Sequence, residues 1–184
     1  SRMRLLVHIF GFFWLKVRFL HATAQFILLI VSITIGHLCY ARSNHTFYEL
    51  TLTILSYTKW PNTSKPVICV LDNPEAANQF QTSIKLLTYN YQVQSVNTKE
   101  FPRTECHVAY FSNTSPQQQQ SLIQSYPSRY LLSLSTNNPA CEIGSIFCLY
   151  NRKSFPTFKV NLDALSYSKV HIDPRVLILA KNTE

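Results

Sequence analysis

PVICVLDNPEAANQFQTSIKLL, residues 66–87, is the stretch on which the fold turns. Pro66 to Leu71 is an apolar run of strand length. Asp72 or Asn73 then caps a helix with Pro74 at its first position, and Ala76, Ala77, Phe80, Ile84 and Leu87 recur at the spacing that fills one helix face. A buried strand followed at once by an amphipathic helix is the building unit of a sheet with crossover helices.

Both flanks repeat this alternation. Downstream, Tyr91 to Val96 (YQVQSV) alternates strictly and Cys106 to Phe111 (CHVAYF) is another strand. Ser115 caps a second helix with Pro116 first and with Leu122, Ile123 and Tyr126 turned inward. The run Gln117 to Gln120 reads as the solvated face of that helix. Arg129 to Leu134 (RYLLSL) is a further buried strand, and Ile143 to Tyr150 with Phe155 to Leu162 forms a hairpin across Asn151 to Ser154. Upstream, Phe47 to Tyr57 fits either a helix or a strand; helix is preferred, ended by Trp60-Pro61. The expectation is a single compact α/β domain with a largely parallel or mixed sheet, helices on both faces, a C-terminal hairpin and two disulfides.

The N-terminus has a different character. Phe26 to Ile35 carries no charge, Arg4, Lys16 and Arg18 precede it with no acidic residue before Glu49, and Cys39-Tyr40-Ala41 follow. This is the order of a secretory signal. Its apolar core of ten residues, or about 16 from Ala22 to His37, falls short of the roughly 18 to 20 of a spanning helix. A cleaved signal is therefore expected over residues 1–41, ahead of a regulatory α/β domain over residues 42–184; a retained anchor is the competing reading. His37 and Leu38 before Cys39 suit a lipid-attachment site poorly. Ser1 and Arg2 precede the only methionine, Met3, and read as a cloning remnant or an upstream extension.

Beyond residue 41, thirteen Lys and Arg face nine acidic residues, a net charge of +4. No basic cluster exceeds Arg152-Lys153, so no nucleic-acid footprint is present. Four cysteines remain there, Cys69, Cys106, Cys141 and Cys148, and an even count behind a secretory signal implies two disulfides. Spacing alone permits three connectivities. Joining neighbours in chain order is favoured because both loops have workable sizes, and closing them would stabilise the fold by about 4 and about 2.5 kcal/mol. A zinc site would need clustered ligands, whereas His45, His107 and His171 are scattered. A catalytic thiol is suggested only by His107 beside Cys106, and adjacent strand residues face opposite ways.

The catalytic inventory is sparse. Gly144 is the single glycine beyond the leader, which excludes a Gly-rich phosphate loop or dinucleotide fingerprint. No nucleophile elbow or His-Glu-x-x-His helix occurs, and the carboxylates are scattered. The expectation is a protein that is not an enzyme and has no cofactor. Three Asn-x-Ser/Thr sequons, at Asn44, Asn62 and Asn113, read as chance matches in a Ser/Thr/Asn-rich chain.

Several stretches together resemble the YfiR/HmsC family: Leu55-Ser56-Tyr57-Thr58-Lys59-Trp60-Pro61, the strand holding Cys69, Cys141-x-Ile143-Gly144-Ser145-x-Phe147-Cys148, and Phe158-x-Val160-Asn161-Leu162-Asp163-Ala164-Leu165-Ser166. Asp173-Pro174-x-Val176-Leu177-x-Leu179-Ala180 completes the likeness, which covers about residues 48–182. It implies a periplasmic repressor that binds the periplasmic sensing domain of an inner-membrane diguanylate cyclase, lowers cyclic di-GMP synthesis and limits biofilm formation. It also implies an outer-membrane lipoprotein that sequesters the repressor, a homodimer, and the pairs Cys69 to Cys106 and Cys141 to Cys148. The extra apolar residues from Ile9 to Leu20 depart from the family.

For partner contacts the candidates are Tyr57 and Trp60, as large amphipathic side chains, with Arg152, Lys153, Asn161 and Asp163. Each has a plainer reading: Trp60 as core, Asn161 and Asp163 as a turn or helix cap, Arg152-Lys153 as a solvated hairpin tip. The alternative functions are a periplasmic small-ligand binding domain and a secreted enzyme.

Overall fold

A computed structural model describes residues 46–181, and the leader expected over residues 1–41 lies outside them. Helix α1, Phe47–Ser56, starts at Thr46, whose hydroxyl accepts from the Glu49 amide at 3.2 Å while the Glu49 carboxylate accepts from the Thr46 amide at 3.3 Å. Satisfying two orphan donors at once favours helix over strand for this ambiguous segment. The helix ends earlier than expected. Thr58–Lys59 (β1) pairs antiparallel with His171–Ile172 (β8), a partner so distant in the chain that no local pattern announces it.

Six further strands form the main sheet: β2 (Val67–Leu71), β3 (Gln92–Val96), β4 (Val108–Phe111), β5 (Leu132–Ser135), β6 (Phe147–Arg152) and β7 (Phe155–Val160). Their spatial order is β3-β2-β4-β5-β6-β7. Every neighbouring pair is parallel except β6 with β7, which makes the sheet mixed with its antiparallel hairpin at one edge. The central strands β4 and β5 are buried at every residue, as expected of strands covered on both faces.

Helix α2, Pro74–Leu86, is capped by Asn73, whose side-chain oxygen accepts from the Ala76 amide at 3.0 Å. Pro74 at the first position sacrifices no hydrogen bond, because that amide would have lacked a partner anyway. Ala76, Ala77 and Phe80 pack with α1 on the face formed by Ile68, Val70, Val108, Tyr110, Leu132 and Leu134. On the opposite face Leu71, Ala109 and Phe111 meet Phe101 of a single 3-10 turn (Phe101–Arg103), with Leu122 and Ile123 of α3 (Pro116–Ser125) beside them. Two short helices, α4 (Leu162–Tyr167) and α5 (Val176–Lys181), follow the hairpin.

Three expectations need correction. The fifth strand begins at Leu132 rather than Arg129, because the Arg129 guanidinium donates to the Tyr167 carbonyl and draws the preceding residues out of the sheet. The sixth begins at Phe147 rather than Ile143, because the residues before it belong to the loop closed by Cys141 and Cys148. Gln119 is fully buried, not part of a solvated face.

The β6–β7 turn is Lys153-Ser154, with φ of +48° and +69° between the last paired residues Arg152 and Phe155. A two-residue turn with both central φ angles positive is the type I′ geometry, which matches strand twist but suits Asn-Gly far better than Lys-Ser. The double change Lys153→Asn, Ser154→Gly is expected to raise stability by about 1 kcal/mol. Urea unfolding would show a higher midpoint at unchanged slope; a midpoint that stays or falls would contradict the turn assignment.

Candidate functional site at the amino-terminal rim of the sheet

In open α/β sheets ligands usually enter at the carboxyl ends of the strands, where the strand order reverses. Here β3 and β4 flank β2, so that point lies beyond Leu71 and Phe111. It is stitched shut. The Asn73 amide donates to the Ser112 hydroxyl at 2.8 Å, the Thr98 amide to the Asp72 carboxylate at 3.3 Å, and the Asn113 side chain to the Asp72 carbonyl at 3.4 Å.

The opposite rim, at the amino ends of the strands, is open. The loop after β1, the segment before β4, the residues before β5 and the approach to β8 enclose a cleft of about 630 Å3. Trp60, His107, Tyr126 and Tyr130 supply its rings. The Tyr126 hydroxyl accepts from the Cys106 amide and donates to the Thr104 carbonyl, both at 2.8 Å, which fixes the cleft floor. Burial pushes this phenol above its usual range, against the pull of the Cys106 backbone. His107 Nδ1 accepts from the Val67 amide at 3.2 Å, and the His107 amide donates to the Val67 carbonyl at 3.0 Å, so this side chain continues the β2–β4 ladder past its last rung. Trp60 stands edge-on to His107 at 6.2 Å; its indole N–H is buried near the Tyr91 hydroxyl without meeting hydrogen-bond geometry.

A second cleft of about 260 Å3 shares Ser128 with the first and is bounded by Ile143, Gly144, Asn161 and Tyr167. Its wall is the loop closed by Cys141–Cys148. A buried polar network holds that loop. The Gln119 amide donates to the Thr114 carbonyl at 2.7 Å and the Ser135 hydroxyl at 2.9 Å, while its oxygen accepts from Ser145 at 2.9 Å. Gln120 accepts from the Gly144 amide at 2.8 Å. Gly144 adopts φ +86°, and a Cβ there would lie 2.9 Å from the Pro116 carbonyl oxygen, so two independent constraints demand glycine.

Both disulfides form in the expected pairs. Cys69–Cys106 ties the middle of β2 to the segment that enters β4, and both ends are buried. Among the described residues no cluster of His, Cys, Asp and Glu could hold a metal ion, and no helix is long and apolar enough to cross a membrane.

The six candidate contact residues fall in four places rather than one. Trp60 lines the larger cleft, Asn161 and Asp163 the smaller. Asn161 is 6% exposed and accepts from the Ala164 amide at 2.9 Å, so its side chain is committed to capping α4, whereas Asp163 is exposed. Tyr57 is half-buried at the end of α1, and its carbonyl accepts from the Asp173 amide at 2.8 Å. Next to it Arg175 forms a bidentate pair with Asp173 and holds that carboxyl down to about 2; Lys59 adds a smaller pull. Arg152 and Lys153 are exposed at the other end of the hairpin, the length of β6 or about 17 Å from the rim. His107, Tyr126, Tyr130, Lys169 and His171 were not among the candidates, and no motif links them in sequence.

A family model described as YfiR/HmsC-like matches residues 48–181, which takes in both clefts and both disulfides.

Gln119→Leu removes the hydrogen bonds to the Thr114 carbonyl and to the Ser135 and Ser145 hydroxyls and leaves the Ser145 hydroxyl buried without a partner, while Asn137 still donates to Thr114 and Ser135. A loss of about 2 to 4 kcal/mol is expected. Faster amide exchange through residues 141–148, with β2 and β4 unaffected, would tie the loss to the loop; uniform exchange would show that the network does not hold it.

Proposed function

The chain belongs to the YfiR/HmsC-like family, and on that basis we propose that it is a periplasmic repressor of an inner-membrane diguanylate cyclase. At the level of the family this is a periplasmic regulator of such cyclases. The finer reading is that the domain docks on the periplasmic sensing domain of the enzyme, lowers cyclic di-GMP synthesis and so limits biofilm formation. Residues 1–41 serve as its export signal. An outer-membrane lipoprotein sequesters it, and two copies associate as a homodimer.

The family match carries this reading, and the physical requirements agree with it. A repressor needs only to bind the off state of its target more tightly than the on state, with no catalytic group of its own. Trp60 and Asp163 offer contacts at the two clefts, and Asn161 shapes the smaller one by capping α4; Tyr57 lies at the end of α1, outside both linings. Arg152 and Lys153 form a separate basic tip.

Cyclic di-GMP is the quantity to measure, in cells lacking this gene, in cells with it restored, and in cells also lacking the candidate cyclase. The nucleotide is expected to rise on deletion only while the cyclase is present. An unchanged level where the cyclase is expressed would defeat the proposal. The Cys69–Cys106 bridge makes the repressor redox-responsive: Cys69→Ser, Cys106→Ser is expected to destabilise the domain by about 2 to 4 kcal/mol and to relieve repression. A variant that stays folded and fully repressing would exclude that link.

A further inference from the structure

The two edges of the main sheet differ in character. β7 carries Pro156 and the exposed Lys159, and α5 packs against it. β3, Gln92-Val93-Gln94-Ser95-Val96, has neither a proline nor a charge, two devices that keep a strand edge from pairing. The Gln92 amide donates to the Pro66 carbonyl and the Asp72 amide to the Val96 carbonyl, both at 2.9 Å, so Gln92, Gln94 and Val96 turn their backbone groups toward β2. Val93 and Ser95 turn theirs outward, and among the described residues nothing pairs with them.

A groove runs beside this edge. α2 packs over β2 and β3, and between its last turns and the strand lies a depression of about 270 Å3. Half-buried Ile84, Tyr91 and Val93 line it on the core side, exposed Gln81 and Lys85 on the solvent side. Lys85 has no acidic group within 4 Å among the described residues, and no acid lines the groove. Next to Lys85, Leu86 is 74% exposed, so apolar surface continues past the end of the helix.

An open strand edge with a groove between it and a helix is the geometry of strand addition, in which backbone bonds give affinity and alternate side chains enter the groove. We propose that β3 accepts an extended segment of a partner protein as a seventh strand, with an apolar side chain against Ile84 and Val93 and, two positions on, an acidic side chain beside Lys85. Charge selects a foreign segment over a second copy, because β3 itself has no acid to offer Lys85. β2 and β3 are parallel and α2 joins them, so the helix runs back and sets Lys85 near the start of β3. In an antiparallel addition, the pairing of greater stability per residue, the apolar residue therefore precedes the acid. The site goes beyond the cyclase reading and is tested on the chain itself.

The probe is the peptide acetyl-TVTLTET-amide, titrated into the isotope-labelled full chain while backbone amide shifts are followed by NMR. Saturable shifts are expected at Val93 and Ser95. A methyl group on the leucine amide, which would point at β3, is expected to weaken binding about tenfold, and one on the preceding threonine amide, which points away, to leave it unchanged. Replacing the peptide's glutamate by glutamine costs about threefold; Lys85→Gln costs the same and leaves the glutamine peptide unaffected. Ser95→Pro deletes an outward amide and keeps every β2–β3 bond, so it is expected to weaken the peptide about tenfold while the thermal midpoint shows the fold intact. No saturable shift at Val93 and Ser95 up to about 5 mM peptide, equal effects of the two methyl groups, or shifts at this edge that follow protein concentration alone, the mark of a second copy there, would each overturn the assignment.

Discussion

The bridge between Cys69 and Cys106 is the constraint on which the rest of the molecule depends. Cys69 sits at the centre of β2 and Cys106 two residues before β4, so the bond clamps the one strand pair from which the sheet extends in both directions. Parallel neighbours cannot be joined by a tight turn and must find each other across a crossover, at the entropic cost of closing a long loop. Reducing the freedom of the unfolded chain between positions 69 and 106 offsets part of that cost. The hydrogen bonds that His107 makes to both backbone groups of Val67 then extend the same pairing to the rim.

From that clamp the position of the open face follows. β2 and β4 are held in register, and their carboxyl ends are closed by the side chains of Asp72, Asn73, Ser112 and Asn113. Such a junction in a nucleotide-binding sheet carries several glycines that let phosphate approach the backbone; here Asp72 itself takes φ +49° and its carboxylate accepts a hydrogen bond. The loops at the amino ends are spaced by the side chains between them, and this leaves two adjoining clefts. Trp60 is both part of the core packing and part of the larger cleft, so its two readings are compatible.

The sequence was legible where structure is decided locally. Asn73, Pro74 and the apolar spacing through Leu87 identify α2 without any tertiary information, whereas α1, which its apolar spacing left between helix and strand, is settled by the capping box of Thr46 and Glu49. It was less legible where a distant group decides. Nothing near Arg129 shows that it will hold the Tyr167 carbonyl, and nothing near Ile146 shows that its amide will donate to Ser133. Gln119 looks like any helical glutamine; only a neighbouring sheet face bearing Ser133 and Ser135 makes it a core residue. The larger cleft draws one or two side chains from each of several loops, and the partner-contact set was split because β7 carries the chain back the length of the sheet.

Segment 104–107 is where these features meet. Tyr126 binds the backbone of Thr104 and Cys106, Cys106 is bridged to Cys69, and His107 adjoins both Trp60 and the first rung of the ladder. The floor of the larger cleft and the bridge therefore share one short piece of chain. The Gln119 network lies at the start of α3, about two turns before Tyr126, and ties the helix to the loop closed by Cys141 and Cys148. The two disulfides thus lie in different surroundings, one at the floor of the larger cleft and one behind the wall of the smaller.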